Sequence, residues 1–293
     1  MELNTLRNFL TVAREENFTR AARQLHLSQP ALSRQIAALE QELGIQLFVR
    51  SSHTIHLTEA GLLLKRRASE LTALEEKILQ EFQTGEELSG TISIGAGELL
   101  GMDLLAEAMA AFQKLHPNVR FSVYSGNADT IKERIDNGLL DVGLLSAPVE
   151  IGRFDFLKCN VDETWYVMVP ETHPLADRGF LEPADLVHEP LIMTDRELVK
   201  EMVVTWLGTT PEKLHITSSI NLAYNGAALA KAGMGLLVTL DLHYKFDGLR
   251  SIPLRPALTS QSVLVWKKTG AFSPLLSAFL AHCRDMFEMH ESK

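Results

Sequence analysis

The segment SQPALSRQIAALEQELGIQLF, residues 28–48, decides how this chain is read. Ser28 carries a hydroxyl suited to accept from free N–H groups at a helix start. Pro30 sits in the first turn, where its missing N–H costs nothing, and Gly44 supplies a stop. These signals predict a helix over 29–43. At about 100° per residue, Leu32, Ile36, Leu39 and Leu43 share one face, and Pro30, Ser33, Arg34, Ala37 and Gln41 the other. Any amphipathic surface helix carries an apolar stripe, so the second stripe is the informative one. Small side chains permit close approach, and Arg, Gln and Ser hydrogen-bond bases and phosphates, as a helix entering a DNA major groove requires. Gln29 lies at the N-terminal tip.

Upstream, Thr19 is placed to cap a shorter helix over 20–25. Ala21 and Ala22 there let a neighbouring helix come close, and His26 and Leu27 make the turn. Downstream, Leu47 and Phe48 close the apolar set, residues 50–54 form a polar turn, and Ile55, His56 and Leu57 alternate like a short strand. The pattern predicts a helix-turn-helix with a wing beside it. Thr58 then caps a long helical pattern in which Leu64, Leu71 and Ile78 recur in heptads, with Leu74 and Phe82 between. Heptad spacing predicts a helix that pairs with another copy of itself.

These residues resemble the LysR-type family of bacterial transcriptional regulators. The similarity extends over the whole chain and is strongest over 9–61, where AAxxLxxSQPALSRQIxxLExxLGxxLFxR is followed by LTEAG. A match of this length and order is not a chance motif. The resemblance implies that Gln29, Pro30, Ser33 and Arg34 face the major groove and that Arg50 and the wing, with His53, touch phosphate. It also implies a dimer through the helix over 59–82. With Thr19 and Ser28 at the two helix starts, these are the candidate DNA-binding residues. The wing departs from the family pattern: it carries His53, Thr54 and His56 where members often place Arg, which points to weak or pH-sensitive wing contacts.

With 293 residues, 46% of them hydrophobic, the chain has apolar side chains enough for two or three packed domains. Its net charge of −9 looks wrong for a DNA binder until it is divided by position. Residues 1–67 hold nine Lys and Arg against six Glu, whereas the remainder holds 19 basic and 31 acidic side chains. A weakly basic head on an acidic body discourages indiscriminate phosphate binding, so specific contact falls to a few placed residues and to having two heads. Lys65, Arg66 and Arg67 follow the wing closely enough to contribute. No early apolar run has the flanks of a signal peptide, and none reaches the roughly 18 residues of a membrane span, which predicts a cytoplasmic protein with no membrane partner. Cys159 and Cys283 are too few for a disulfide framework. Cys283 shares a helical face with Leu276, Phe279, Leu280 and Phe287 and reads as core. Cys159 reads as structural, or as an oxidation reporter if exposed.

From Thr91 the texture becomes α/β. Strand TISIG, a helix over 99–115, a break at Pro117, strand VRFSVYS, a helix over 129–137 and strand DVGLL make consecutive βαβ units. Such units imply a mostly parallel sheet with right-handed crossovers and any ligand at the carboxyl ends of the strands. A second run follows: strand TWYVMV, the Pro-punctuated HPLADRGFLEP, strand PLIM, a helix over 197–207, strand KLHITSS, a helix over 221–231 and AGMGLLV. Strand SVLVW at 262–266 and a last helix over 273–290 then return the chain to cover the first unit. Two lobes with two crossings make a hinged cleft, as in periplasmic binding proteins, and the family resemblance implies this effector domain. The crossings are expected near Val161 and Trp266. The fold class is thus α/β with an N-terminal all-α winged helix-turn-helix over 1–58, a dimerisation helix and linker over 59–88, and a two-lobed effector domain over 89–293. Lobe I takes 89–161 and 267–293, and lobe II takes 162–266.

Helix N-termini at strand ends offer free N–H groups and a positive dipole to a ligand. The loops 97–100, 126–129 and 146–148, with Asn221 in the second lobe, qualify. They nominate Gly97, Glu98, Leu99, Asn127, Ser146, Thr194 and Asn221 as effector-binding residues, with Asn225 also polar and nearby. Glu98 stands where the family commonly offers Ser or Thr to a carboxylate effector. It implies either an effector with an amine or several hydroxyls, or a carboxylate that stabilises a helix N-terminus.

Rival functions fare worse. Gly95, Gly97 and Gly101 make GxGxxxG, one residue longer than a dinucleotide fingerprint, and the next strand ends at Ser125 and Gly126 without an acidic residue for a ribose. His53 and His56 have no third zinc ligand at sensible spacing, and no GxSxG elbow is present. The chain is therefore expected to be no enzyme and to need no cofactor. A transport binding protein would leave 1–87 unexplained, and an effector-independent architectural DNA binder would have no use for the acidic body. The sequence reads as a regulator that binds double-stranded DNA and a small-molecule effector, as a homodimer or homotetramer.

Overall fold

The computed structural model describes residues 1–50, 55–81, 87–268 and 272–291. The chain divides into two compact units, residues 1–84 and 85–293.

The first unit is helical. Helices α1 (Leu3–Glu15), α2 (Phe18–Gln24) and α3 (Gln29–Leu43) precede a two-stranded wing of β1 (Phe48–Arg50) and β2 (Ile55–Leu57), followed by α4 (Glu59–Glu81). α3 has the caps its sequence offers. Ser28 Oγ accepts from the Ala31 N–H at 3.4 Å, and Gly44 closes the helix at φ +68°, where a side chain would be strained. Leu32, Ile36 and Leu39 are buried against Leu6, Phe9 and Val12 of α1 and Ala21 and Ala22 of α2. Each contributes on the order of 2 kcal/mol by leaving water. Leu43, expected on the same face, is 37% exposed in the last turn of the helix. α2 also differs from expectation. Its cap is Asn17, whose Oδ1 accepts from the N–H groups of Thr19 and Arg20 at 2.9 and 3.0 Å, so Thr19 lies inside the first turn. Asn outranks Thr at this position, and the helix accordingly starts earlier.

Thr58 caps α4 as read: its Oγ1 accepts from the Gly61 N–H at 3.0 Å and donates to the Gln46 carbonyl at 2.7 Å. α4 packs on α1, with Ala68 buried and Arg7 paired to Glu75 at 2.7 Å. Leu71 and Ile78, two of the three heptad residues, are 42% and 46% exposed. Phe82 lies outside the described residues.

The second unit alternates strands and helices. In order they are β3 (Gly90–Ala96), α5 (Gly101–Leu115), β4 (Val119–Ser125), α6 (Ala128–Asp136), β5 (Val142–Ser146) and the long β6 (Phe154–Pro170). There follow α7 (Pro183–Leu186), β7 (Leu191–Thr194), α8 (Glu197–Leu207), β8 (Ile216–Ile220), α9 (Ala223–Lys231), β9 (Leu236–Leu240), β10 (Leu249–Pro253), β11 (Thr259–Lys267) and α10 (Pro274–Glu291). The strands run β4-β3-β5-β11-β6-β9-β7-β8, with β10 also on β6. β6 belongs to both lobes. Its first part pairs with β11 beside β5, and its last part pairs with β9 and β10.

Strand β11 corrects the expected lobe boundary. It pairs with β5 through Ser262↔Ser146 to Trp266↔Val142, so residues 262–266 lie in the middle of the lobe I sheet. The return crossing falls at 259–261, next to a register shift between Gln261 and Val263, and not near Trp266. An unbroken apolar run such as SVLVW suits a strand buried on both faces of either lobe, and packing makes the choice. Val263 and Val265 join Ile131 and Ile135 of α6 on one face, while Leu264 and Trp266 join α5 and α10 on the other. In lobe II, Met168, Ile192 and Leu237 face α9, and Val167, Met193 and Val238 join the core of α7 and α8.

Candidate functional site

Two surfaces carry the candidate residues, one on each unit. In the first unit, Thr19, Ser28, Gln29, Pro30 and Arg34 are exposed and Ser33 is half-buried. Arg34 Nε donates to the Pro30 carbonyl at 3.3 Å, which lays the side chain back toward the N-terminal tip of α3, the positive end of the helix dipole. The wing is rooted to the same helix. Glu40 Oε1 accepts from the N–H groups of Leu47 and Phe48 at 2.8 and 3.2 Å, and the Phe48 ring lies 5.4 Å from Phe9 and 5.9 Å from Phe18. β1 and β2 pair antiparallel through Phe48↔Leu57. His53, Thr54 and the side chain of Arg50 lie outside the described residues. A rigid helix with an exposed polar stripe and a wing anchored to its far end can present donors to a groove and to its flanking phosphates.

In the second unit a cavity of about 120 Å³ opens between the lobes. Gly97, Glu98, Leu99, Asn127, Ser146, Thr194 and Asn221 all line it. Asn225, exposed one turn into α9, is not part of its wall. The lining residues not nominated include Trp165, Arg196 and Thr239. Arg196 had a usable signal, since it stands between strand PLIM and the helix over 197–207, the same strand-end position that nominated Thr194.

Hydrogen bonds cross the cleft. Glu98 Oε2, from the loop after β3, accepts from the Ala223 N–H at 2.5 Å, at the start of α9 in lobe II. Arg196 Nη2, from lobe II, donates to the Pro148 carbonyl of lobe I at 2.7 Å. Burial pulls the Arg196 pKa below its ordinary value, with the charge of Asp129 opposing that shift. Asn127 caps α6 by accepting from the Thr130 N–H at 2.9 Å. Ser146 and Ser260 hydroxyls lie 3.0 Å apart, and Trp165 Nε1 donates to Ser260 Oγ at 3.3 Å, so one small polar chain runs from lobe I through the return crossing to lobe II. Glu98 therefore does hold a helix N-terminus, but across the cleft. The N-terminus of α5 is held by Glu163, which is fully buried and accepts from the N–H groups of Leu100 and Gly101, each at 3.0 Å, and from the Ser262 hydroxyl.

Cys159 and Cys283 are buried in the lobe I core, and desolvation pushes both thiols up to about 12. Thiols held in that state are poor nucleophiles near neutral pH. Among the described residues no group of three His, Cys, Asp or Glu is placed to hold a metal ion, and no helix is long and apolar enough to cross a membrane.

A winged helix-turn-helix coupled in one chain to a two-lobed α/β body with a lined cleft defines a DNA-binding transcriptional regulator with an effector domain. The chain belongs to the LysR family. Residues 3–62 match the bacterial regulatory helix-turn-helix protein family of the lysR type, and residues 85–288 match the LysR substrate binding domain. Among curated relatives it is 31% identical to the uncharacterized HTH-type transcriptional regulator YybE of Bacillus subtilis (strain 168), covering 95% of this chain and 97% of that one. It is also 31% identical to the Hca operon transcriptional activator HcaR of Escherichia coli (strain K12), covering 96% of each. Among solved structures, the LysR family transcriptional regulator CbnR shares the fold at a TM-score of 0.71 and 20% identity, over 98% of this chain and 99% of that chain.

Proposed function

We propose that the polar stripe of α3, with Gln29, Pro30, Ser33 and Arg34, reads operator bases, that the wing contacts phosphate, and that the cleft between the lobes binds the effector that modulates transcription. The observation that carries this reading is the cross-lobe bonding of Glu98 and Arg196 around a cavity lined by every nominated effector residue. A ligand entering there contacts both lobes and competes with the bonds that hold them, so occupancy and closure are coupled. The effect on DNA arises only through differential affinity for two assemblies, and amounts to a few kcal/mol at most. Leu71 and Ile78, exposed on α4, pair two heads in a homo-oligomer, which lets the heads read two half-sites. The work of the site is recognition rather than catalysis. The HcaR relative is an operon transcriptional activator by name.

Genomic footprinting of the purified protein on host DNA at near-physiological salt, repeated with a library of small metabolites, tests this reading. Discrete sites with two-fold symmetry, whose pattern changes with one class of metabolite, are expected. Uniform, salt-sensitive binding that no metabolite alters would replace it with the architectural reading.

A further inference from the structure

The cleft holds two charged side chains, Glu98 and Arg196, and they are not equivalent. Arg196 is answered by lobe I: it donates to the Pro148 carbonyl at 2.7 Å and lies in the field of Asp129. Glu98 meets only a dipole. Its one hydrogen-bond partner among the described residues is the Ala223 N–H, at the start of the nine-residue α9. A helix end is equivalent to about half an elementary charge, so it offsets only part of a full carboxylate. Much of the remaining wall is apolar, including Leu99, Leu144, Trp165, Val199 and Leu240, and in such surroundings a charge is screened less than in water.

We propose that Glu98 sets the ligand class of the cleft: a small, largely apolar molecule carrying a cationic amine, with free carboxylates turned away. This rests on the reading of the cleft as the effector site. An ammonium group beside Glu98 meets the charge that the dipole leaves uncompensated and shares the carboxylate with the Ala223 N–H. An incoming carboxylate finds the α9 N-terminus already occupied by a tethered carboxylate and is repelled by it. Glu98 comes from lobe I and Ala223 from lobe II, so an amine drawn to Glu98 acts on one of the bonds between the lobes. Ligand class and lobe closure are thus set by the same side chain.

Benzylamine and benzoate, similar in size and opposite in charge, are titrated calorimetrically into full-length protein and into Glu98→Gln. The Gln amide oxygen can still accept from Ala223, so the lobes keep their contact. Wild type is expected to bind benzylamine at least tenfold more tightly than benzoate, and Glu98→Gln to reduce that ratio at least tenfold. Should Glu98→Gln fail to fold, Glu98→Asp is expected to preserve the preference and Glu98→Ala to lose it. Equal binding of both probes, preference for benzoate, or a ratio unchanged by Glu98→Gln overturns the selectivity while leaving a functional cleft. Failure of both probes to bind wild type also overturns it, and the cleft itself is then judged by the metabolite-dependent footprint.

Discussion

The Glu163 carboxylate and the Gly101 backbone N–H meet at 3.0 Å in complete burial, where strand β6 passes between the lobes. Gly101 is required there, since a Cβ would lie 2.7 Å from Ser262 Cβ and Oγ. One carboxylate thus joins the start of α5, two residues beyond the cleft-lining Leu99, to both strands of the crossing. Removing it by Glu163→Ala leaves two N–H groups and a hydroxyl buried without their partner, a loss of about 3 kcal/mol or more. Urea denaturation followed by circular dichroism is expected to show that loss, with Glu163→Gln milder because one acceptor oxygen remains.

Arg34→Ala is expected to weaken operator binding by about 1–3 kcal/mol and to relax base preference at one position of each half-site. Gel-shift titrations against operator and random DNA measure this. Equal weakening on both would make Arg34 a phosphate contact instead.

Asn17, not Thr19, holds the start of α2. Asn17→Ala should therefore cost about 1 kcal/mol of stability, while Thr19→Ala stays within a few tenths. Thermal unfolding of the two variants side by side distinguishes them, and the reverse order would return the cap to Thr19.

Leu71 is 42% exposed on α4, in register with Ile78 one heptad on. Leu71→Glu places a charge in the proposed seam and is expected to lower the oligomeric mass in sedimentation and to weaken operator affinity. Unchanged mass and affinity would remove α4 from the interface.

Both thiols are held from their usual value of 9.0 up to about 12 by burial. The folded state keeps protons that the unfolded chain releases, so the stability they confer is complete below pH 9 and declines as pH rises toward 12. Each thiol should lower stability by about 1.4 kcal/mol per pH unit within that window. Alkylation by iodoacetamide at pH 8 should be slow in native protein and rapid in guanidinium. Fast native labelling would show that either cysteine reaches solvent.

The head was legible because its signals are local. Ser28, Pro30 and Gly44 bound α3 within one helix length, and Leu32, Ile36 and Leu39 are buried as their spacing requires. Strand ends likewise marked the loops around the cleft, since a chain leaving a parallel sheet must pass its carboxyl edge. Glu163 carried no such mark. Its partners stand 62 and 99 residues away, and a Glu within DETWYVMV reads as a solvated strand residue until the fold brings Gly101 and Ser262 to it. The return crossing was misplaced for a related reason: SVLVW is apolar on both faces and satisfies either lobe.

The sequence alone determined the capped polar-faced helix and most of the strand and helix alternation, because propensity, capping and hydrophobic period are written within a few turns of chain, and its ordered motif over 9–61 carried the family resemblance. Only the tertiary structure decided which lobe owns β11, which carboxylate holds which helix, and that Glu98 and Arg196 bond across one cleft. Those outcomes depend on residues 48 to 125 positions apart, whose proximity follows from the folded path rather than from any local pattern.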